Sequence, residues 1–242
     1  MKVKFLFLAS LLALTGCGGD ALSDVTAGDE ADKASFEQAS LINNILLHSN
    51  YHVEVTSNQT GLPPEAKSNY PRAMDFADKK IKVQYSLTRE PYYFDFSRSN
   101  DSSSYTFDLY TPQVNRASET PYTVKTYENK SLSNDFMGIA ELVAITGGYD
   151  LSMMSGLKFS DFTFNGGVYV NTKPIKTADS GHEATFDVIK LSFLGDNIKD
   201  LYYHVTSEIP TSETTSISVG LEMRMIFSQF GQVSVTLPDV VD

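Results

Sequence analysis

Cys17 is the sole thiol of the chain, and it stands where a basic and then apolar leader ends. With no second cysteine, a disulfide within the chain is excluded, and no Cys or His spacing of a zinc site surrounds it. The hydroxyl nucleophiles are weaker candidates. Ser155-Gly156-Leu157-Lys158 matches an S-x-x-K pattern, but Ser133-Asn134-Asp135 precedes it instead of following it. No K-T-G follows either, because Lys176-Thr177 runs into Ala178. There is no G-x-S-x-G elbow, P-loop or G-x-G-x-x-G. The histidines are His48, His52, His182 and His204; His48 and His52 are four apart but straddle an expected helix end at Asn50. Asp161, Asp187, Asp196 and Asp200 have no calcium-loop spacing, and Asp29-Glu30 belongs to a solvated acidic run. The expectation is a protein that is not an enzyme, with no catalytic residue, no cofactor and no metal, in which Cys17 carries the one distinctive chemistry.

What positions Cys17 is the leader. Lys2 and Lys4 form a positive n-region, and Phe5 to Leu14 form an apolar segment too short for a comfortable membrane span. An ordinary secretory signal ends in small residues and has no need of sulfur. Leu14-Thr15-Gly16-Cys17 resembles the lipobox of bacterial lipoproteins. That resemblance implies a signal peptide over residues 1–16, cleavage before Cys17, and lipid attachment (diacylglyceryl and palmitate-like chains) at Cys17. One acyl chain binds a bilayer reversibly, whereas two or three hold the protein essentially permanently. The implied location is the cell envelope, on the outer side of the cytoplasmic membrane. Gly18 stands where the enterobacterial sorting pattern has Asp for inner-membrane retention, which implies the outer membrane in a two-membrane cell.

Charge narrows the partners. The formal net charge is −11, and loss of Lys2 and Lys4 with the leader takes it to −13. A chain this acidic does not suit nucleic acid or anionic headgroups. Phe and Tyr are abundant and Trp is absent, with much of both in alternating runs that favour strands.

Residues 17–34 are small and acidic and read as the acylated Cys followed by a flexible tether. Ser35 with Gln38 forms a capping box, and Phe36, Ala39, Ile42, Ile45 and Leu46 recur at helical spacing up to Asn50. The period then becomes two. Tyr51 to Val55, Ile81 to Leu87, Tyr92 to Phe96 paired with Tyr105 to Leu109, and a weaker run at Tyr122 to Tyr127 read as strands. A second helix fits Ser133 to Thr146, stopped by Gly147-Gly148. Beyond it, Phe162 and Phe164 face Val168 and Val170 across Asn165-Gly166-Gly167. A long run follows in which either Phe186 and Val188, or Ile189, Leu191 and Phe193, form the inward set. Ile198 to Thr206, Ile217 to Met225, and Val233 to Leu237 complete the strands.

The expected class is α+β, a single domain over residues 35–242. It is a strongly curved antiparallel half-barrel of about ten strands with two or more helices covering or filling its concave face. In this outline the chain resembles the LolA and LppX/LprG superfamily of lipoprotein and lipid carriers. The features in common are a lipobox, a helix leading into a Tyr-x-Val-x-Val strand, a mid-chain helix, and a closing MRMIFSQFGQVSVTLPD. The resemblance implies an apolar cavity for acyl chains and a lipid or lipoprotein ligand. Alternation places Val83, Tyr85, Phe94, Phe107, Phe186, Leu221 and Met223 on one concave face as cavity-lining candidates. The residues alone leave a second reading open. The same side chains can fill the core of a surface or structural lipoprotein that binds a protein partner.

Overall fold

The computed structural model describes residues 30, 32–36, 49–67, 70–99, 104–113, 122–131, 158–179, 182–195, 197–210 and 215–240. Twelve antiparallel strands dominate them. They are β1 (Tyr51–Thr60), β2 (Pro71–Ala77), β3 (Lys80–Tyr85), β4 (Tyr92–Asp95), β5 (Ser104–Pro112) and β6 (Tyr122–Ser131), then β7 (Phe162–Asn165), β8 (Val168–Asn171), β9 (Ile175–Asp179), β10 (His182–Leu194), β11 (Asn197–Pro210) and β12 (Ser216–Ser228). They make one sheet in the order β6-β5-β4-β3-β2-β1-β12-β11-β10-β8-β7. β9 lies off this path and borders the Ala184–Phe186 half of β10, while β8 borders Lys190 and Leu191.

The expected α+β class is overturned. Among the described residues, helix is confined to Glu30, residues 32–36 and short 3-10 turns at Pro64–Ala66 and Phe159–Asp161. The spans expected to supply most of the two covering helices, 37–48 and 133–146, lie outside the described residues. The physical reason lies in the size of the side chains on the apolar face. Phe107 packs against Phe94, Phe96 and Tyr127 with centroids 6.2, 4.9 and 4.9 Å away, and Phe186 against Tyr203 at 5.7 Å. Side chains this large, repeating at period two, commit the described residues to strands and pack against one another along the sheet.

Register explains why this face is continuous. Alternate residues of a strand point to opposite faces, and many of the pairings set apolar against apolar. One row runs Leu191, Leu201, Met225, Val55, and another runs Ile189, Tyr203, Met223. Met74 meets both Val53 and Val83, Phe76 meets Ile81, and Ile81 meets Phe94. All belong to one buried cluster.

β10 reconciles its two conflicting periodicities. The register shifts between Phe186 and Val188, so Phe186 pairs with Val205 while Val188 pairs with His204. The bulge at Asp187 turns Phe186, Ile189 and Leu191 to the same buried face. Asn171 supports the bulge from β8: its Oδ1 accepts from the Ile189 amide at 2.8 Å and its Nδ2 donates to the Asp187 carbonyl at 3.4 Å.

Two expectations at the ends also change. The helix begins ahead of Ser35, and the Tyr169 hydroxyl donates to Asp32 at 2.6 Å. The expected strand Val233 to Leu237 does not form. A turn with Gln229 and Gly231 at positive φ redirects the chain, and Asn50 captures it. Asn50 Oδ1 accepts from the Val233 amide at 2.9 Å, its Nδ2 donates to the Val233 carbonyl at 3.1 Å, and the Gly231 amide donates to the Asn50 carbonyl at 2.9 Å. A side-chain amide thus replaces a neighbouring strand.

Candidate functional site: the grooved polar face

The face opposite the core carries the exposed chemistry. Where β10, β11, β12 and β1 lie side by side, one transverse row reads Lys190, Tyr202, Arg224, Thr56. The next reads Val188, His204, Glu222, Asn58, and a third reads Ser192, Asp200, Ile226, Glu54. The first row and its neighbours line a groove of about 600 Å³, with Thr56, Asn58, Lys190, Ser192, Asp200, Tyr202, Glu222 and Arg224 on its walls.

Its charged groups hold one another in place. Arg224 makes a forked contact with Asp200, its Nε 3.2 and 3.1 Å from the two carboxylate oxygens. Tyr202 donates to Glu222 Oε1 at 2.9 Å, and Lys190 Nζ lies 5.3 Å from the Tyr202 ring centre. Burial and the bond to Glu222 push the Tyr202 phenol up, while the bond to Asp200 raises the Arg224 guanidinium further. Both therefore stay protonated at neutral pH and act as donors. Two cations oppose two anions on the walls, so the groove is charge-balanced.

A second groove of about 440 Å³ continues across β1, β2 and β3, lined by His52, Glu54, Thr56, Arg72, Asp75, Lys82 and Gln84 among others. Asp75 is its centre: Oδ1 lies 2.6 Å from His52 Nδ1, and Lys82 Nζ donates to Oδ2 at 3.3 Å. Nearby, His204 Nδ1 lies 3.1 Å from Asp187 Oδ2, which also accepts from Thr206 Oγ1 at 3.1 Å. Among the described residues no group of three or more His, Cys, Asp or Glu is placed to hold a metal. No helix among them is long and apolar enough to cross a membrane.

The seven cavity-lining candidates are brought together, but on the other face. Val83, Phe94, Phe107 and Met223 are 0% exposed, Phe186 is 2%, and Tyr85 and Leu221 are 7%. None of the seven lines either groove. Cys17, His48, Ser155 and the Ser133-Asn134-Asp135 stretch lie outside the described residues.

The groove residues escaped the sequence reading because they are interleaved with core positions on four strands, of which β1 is far in the chain from the consecutive β10, β11 and β12. One visible signal was the opposite-charge pair Glu222 and Arg224 on the wet side of the most regular strand.

Among the described residues these features define a class: an antiparallel β protein of twelve strands with one packed apolar face and one grooved polar face. No protein-family model matches the chain, and no curated protein does. Among solved structures it is similar to an auxiliary nutrient binding protein from Bacteroides thetaiotaomicron VPI-5482. That match has 12% identity and a TM-score of 0.15, over 75% of this chain and 46% of that one. The chain thus spans less than half the length of that protein, and so loose a superposition carries no argument about fold or role.

Proposed function

We propose that the chain is a membrane-anchored lipoprotein that holds a protein partner against its grooved polar face, with the apolar face serving as filled core. The observation that carries this reading is the burial of all seven candidate positions, at 0–7% exposure, on the face opposite the two grooves. A carrier of acyl chains needs a lumen beside such residues. A binder of proteins needs an exposed, preorganised polar surface, and Arg224–Asp200 and Tyr202–Glu222 supply one at little further ordering cost. The anchor in this reading is the acylated Cys17, and no reaction is assigned to the protein.

Native mass spectrometry of the domain from Asp20 onward, which lacks the acylated Cys17, purified without detergent and followed by organic extraction, tests the reading. The expected result is the bare polypeptide mass. A stoichiometric non-covalent lipid would overturn it and restore the acyl-chain carrier. A photo-crosslinker at Ser192 in the groove is expected to label a partner that one at Thr126, on the exposed side of β6, does not.

A further inference from the structure

Exposed large apolar side chains are scattered over the molecule, and two of them stand at the same end of the sheet. Phe164 and Leu194 are each 58% exposed. Phe164 sits in β7 beside the Gly166-Gly167 turn, and Leu194 ends β10 beside the turn at Gly195. β8 pairs with β10 through Tyr169↔Leu191, which brings these two hairpin tips to the same end of the sheet. Tyr169 lies between the two hairpins, with ring centres 5.1 Å from Phe164 and 5.7 Å from Phe193, the residue before Leu194.

The N-terminal segment meets the sheet at this same residue. Asp32 accepts the Tyr169 hydroxyl at 2.6 Å, and Phe36 packs against Phe159 and Phe162 at 5.7 Å each. Fifteen peptide steps separate Asp32 from Cys17. Such a stretch spans at most about 50 Å. β10 and β12 have 13 residues each, so the sheet is roughly 40 Å from end to end. The end bearing Phe164 and Leu194 is therefore the one a bilayer holding Cys17 reaches first. Leu87, 81% exposed, and Ile217, 37% exposed, lie towards the opposite end, past Tyr85 and at the start of β12.

We propose that the β7–β8 and β10–β11 hairpin tips form a membrane-contact edge, in which Phe164 and Leu194 enter the interface of the lipid surface that anchors Cys17. The proposal rests on the lipid anchor proposed above. The contact is apolar, since a chain of net charge −11 gains nothing from anionic headgroups. Its effect is to fix the domain's orientation, leaving the grooved face lateral to the bilayer.

The chain lacks Trp, so one substitution makes a clean reporter. Full-length acylated protein carrying Phe164→Trp is reconstituted into phosphatidylcholine vesicles containing brominated lipid, with Leu87→Trp prepared in the same way. The expected result is a blue-shifted indole emission from the Phe164→Trp protein, quenched most by bromines about 5–10 Å below the surface, and an unquenched emission from the Leu87→Trp protein. If the acylated Phe164→Trp protein is unquenched, or the Leu87→Trp protein is quenched equally, this proposal is refuted while the anchor stands. A mass lacking the acyl chains on Cys17 refutes the anchor and the membrane-contact edge together.

Discussion

Phe107→Ala separates a filled core from a lined cavity. Phe107 is 0% exposed and touches three rings, stacking on Tyr127 with planes 12° apart. In a filled core its removal costs the transfer free energy of the ring, the cavity left behind and the lost ring contacts, together about 3–5 kcal/mol. For a chain of this size each kcal/mol moves Tm by about 2–4 °C, so the expected fall is about 6–20 °C. Against a total stability of about 5–15 kcal/mol this is a large share. The assay is thermal unfolding followed by near-ultraviolet circular dichroism, with urea unfolding as a check that the m-value is unchanged. Phe164→Ala, at a position 58% exposed, is the control and is expected to stay within about 0.5 kcal/mol of the parent. A Phe107→Ala Tm within about 2 °C of the parent would refute the filled core, because a ring beside open space leaves no new void when removed.

Further outcomes follow from single contacts. Asn50→Ala removes two hydrogen bonds to Val233 and is expected to cost about 2 kcal/mol, with faster hydrogen exchange at the Val233 amide; unchanged exchange there would show that the tail is held by other means. Gly61 has φ +80, and a Cβ there would sit 2.1 Å from the Ser218 carbonyl oxygen, so Gly61→Ala is expected to disrupt the end of the β1–β12 ladder. Gly231 has φ +69 with nothing within 4 Å, so Gly231→Ala is expected to cost only the left-handed penalty of roughly 1–2 kcal/mol. Equal losses at the two glycines would refute the steric reasoning. Burial, and then the neighbouring Tyr93, push the Tyr122 phenol up to about 12. The fold holds the neutral form, so this stabilisation is complete below the ordinary value of about 10 and is lost as pH climbs through about 12. Tyr122→Phe is expected to flatten that decline in alkaline unfolding curves, and an unaltered slope between those values would refute it.

Strands with clean alternation and good turns were legible in the sequence. The pairing of Phe94 with Leu109, the Gly166-Gly167 hairpin and the Leu221-Met223-Met225 face all follow from period two and glycine at positive φ. β2 was not legible, because Pro71, Arg72 and Asp75 interrupt its apolar pattern. Its turn to β3 also uses Asp78 and Lys79 at φ 51 and 61, where the recognisable sequence would be Asn-Gly. The bulge at Asp187 was visible only as two competing parities. The α+β class failed as an expectation because period-two runs of large apolar side chains commit most of the described residues to strands. The groove was beyond reach for a different reason: it depends on β1 lying beside β12, a pairing that local pattern does not specify.

That pairing has a consequence for how the molecule comes together. β1 and β12, the first and last strands among the described residues, meet in the middle of the sheet, with His52 opposite Ser228 and Thr60 opposite Gly220. β1 to β6 form one run of consecutive hairpin neighbours, β7 to β12 form another apart from the displaced β9, and the β1–β12 seam joins them. Closing the seam brings together residues more than 150 positions apart, the kind of long-range contact that slows folding. Until it closes, each half presents a raw edge strand, with Val53, Val55, Met223 and Met225 half-walled. A chain threaded amino-end first through a pore cannot finish its sheet before β12 has emerged. The seam thus acts as a timer: in a chain made amino-end first, the sheet closes only once its last described strand is available.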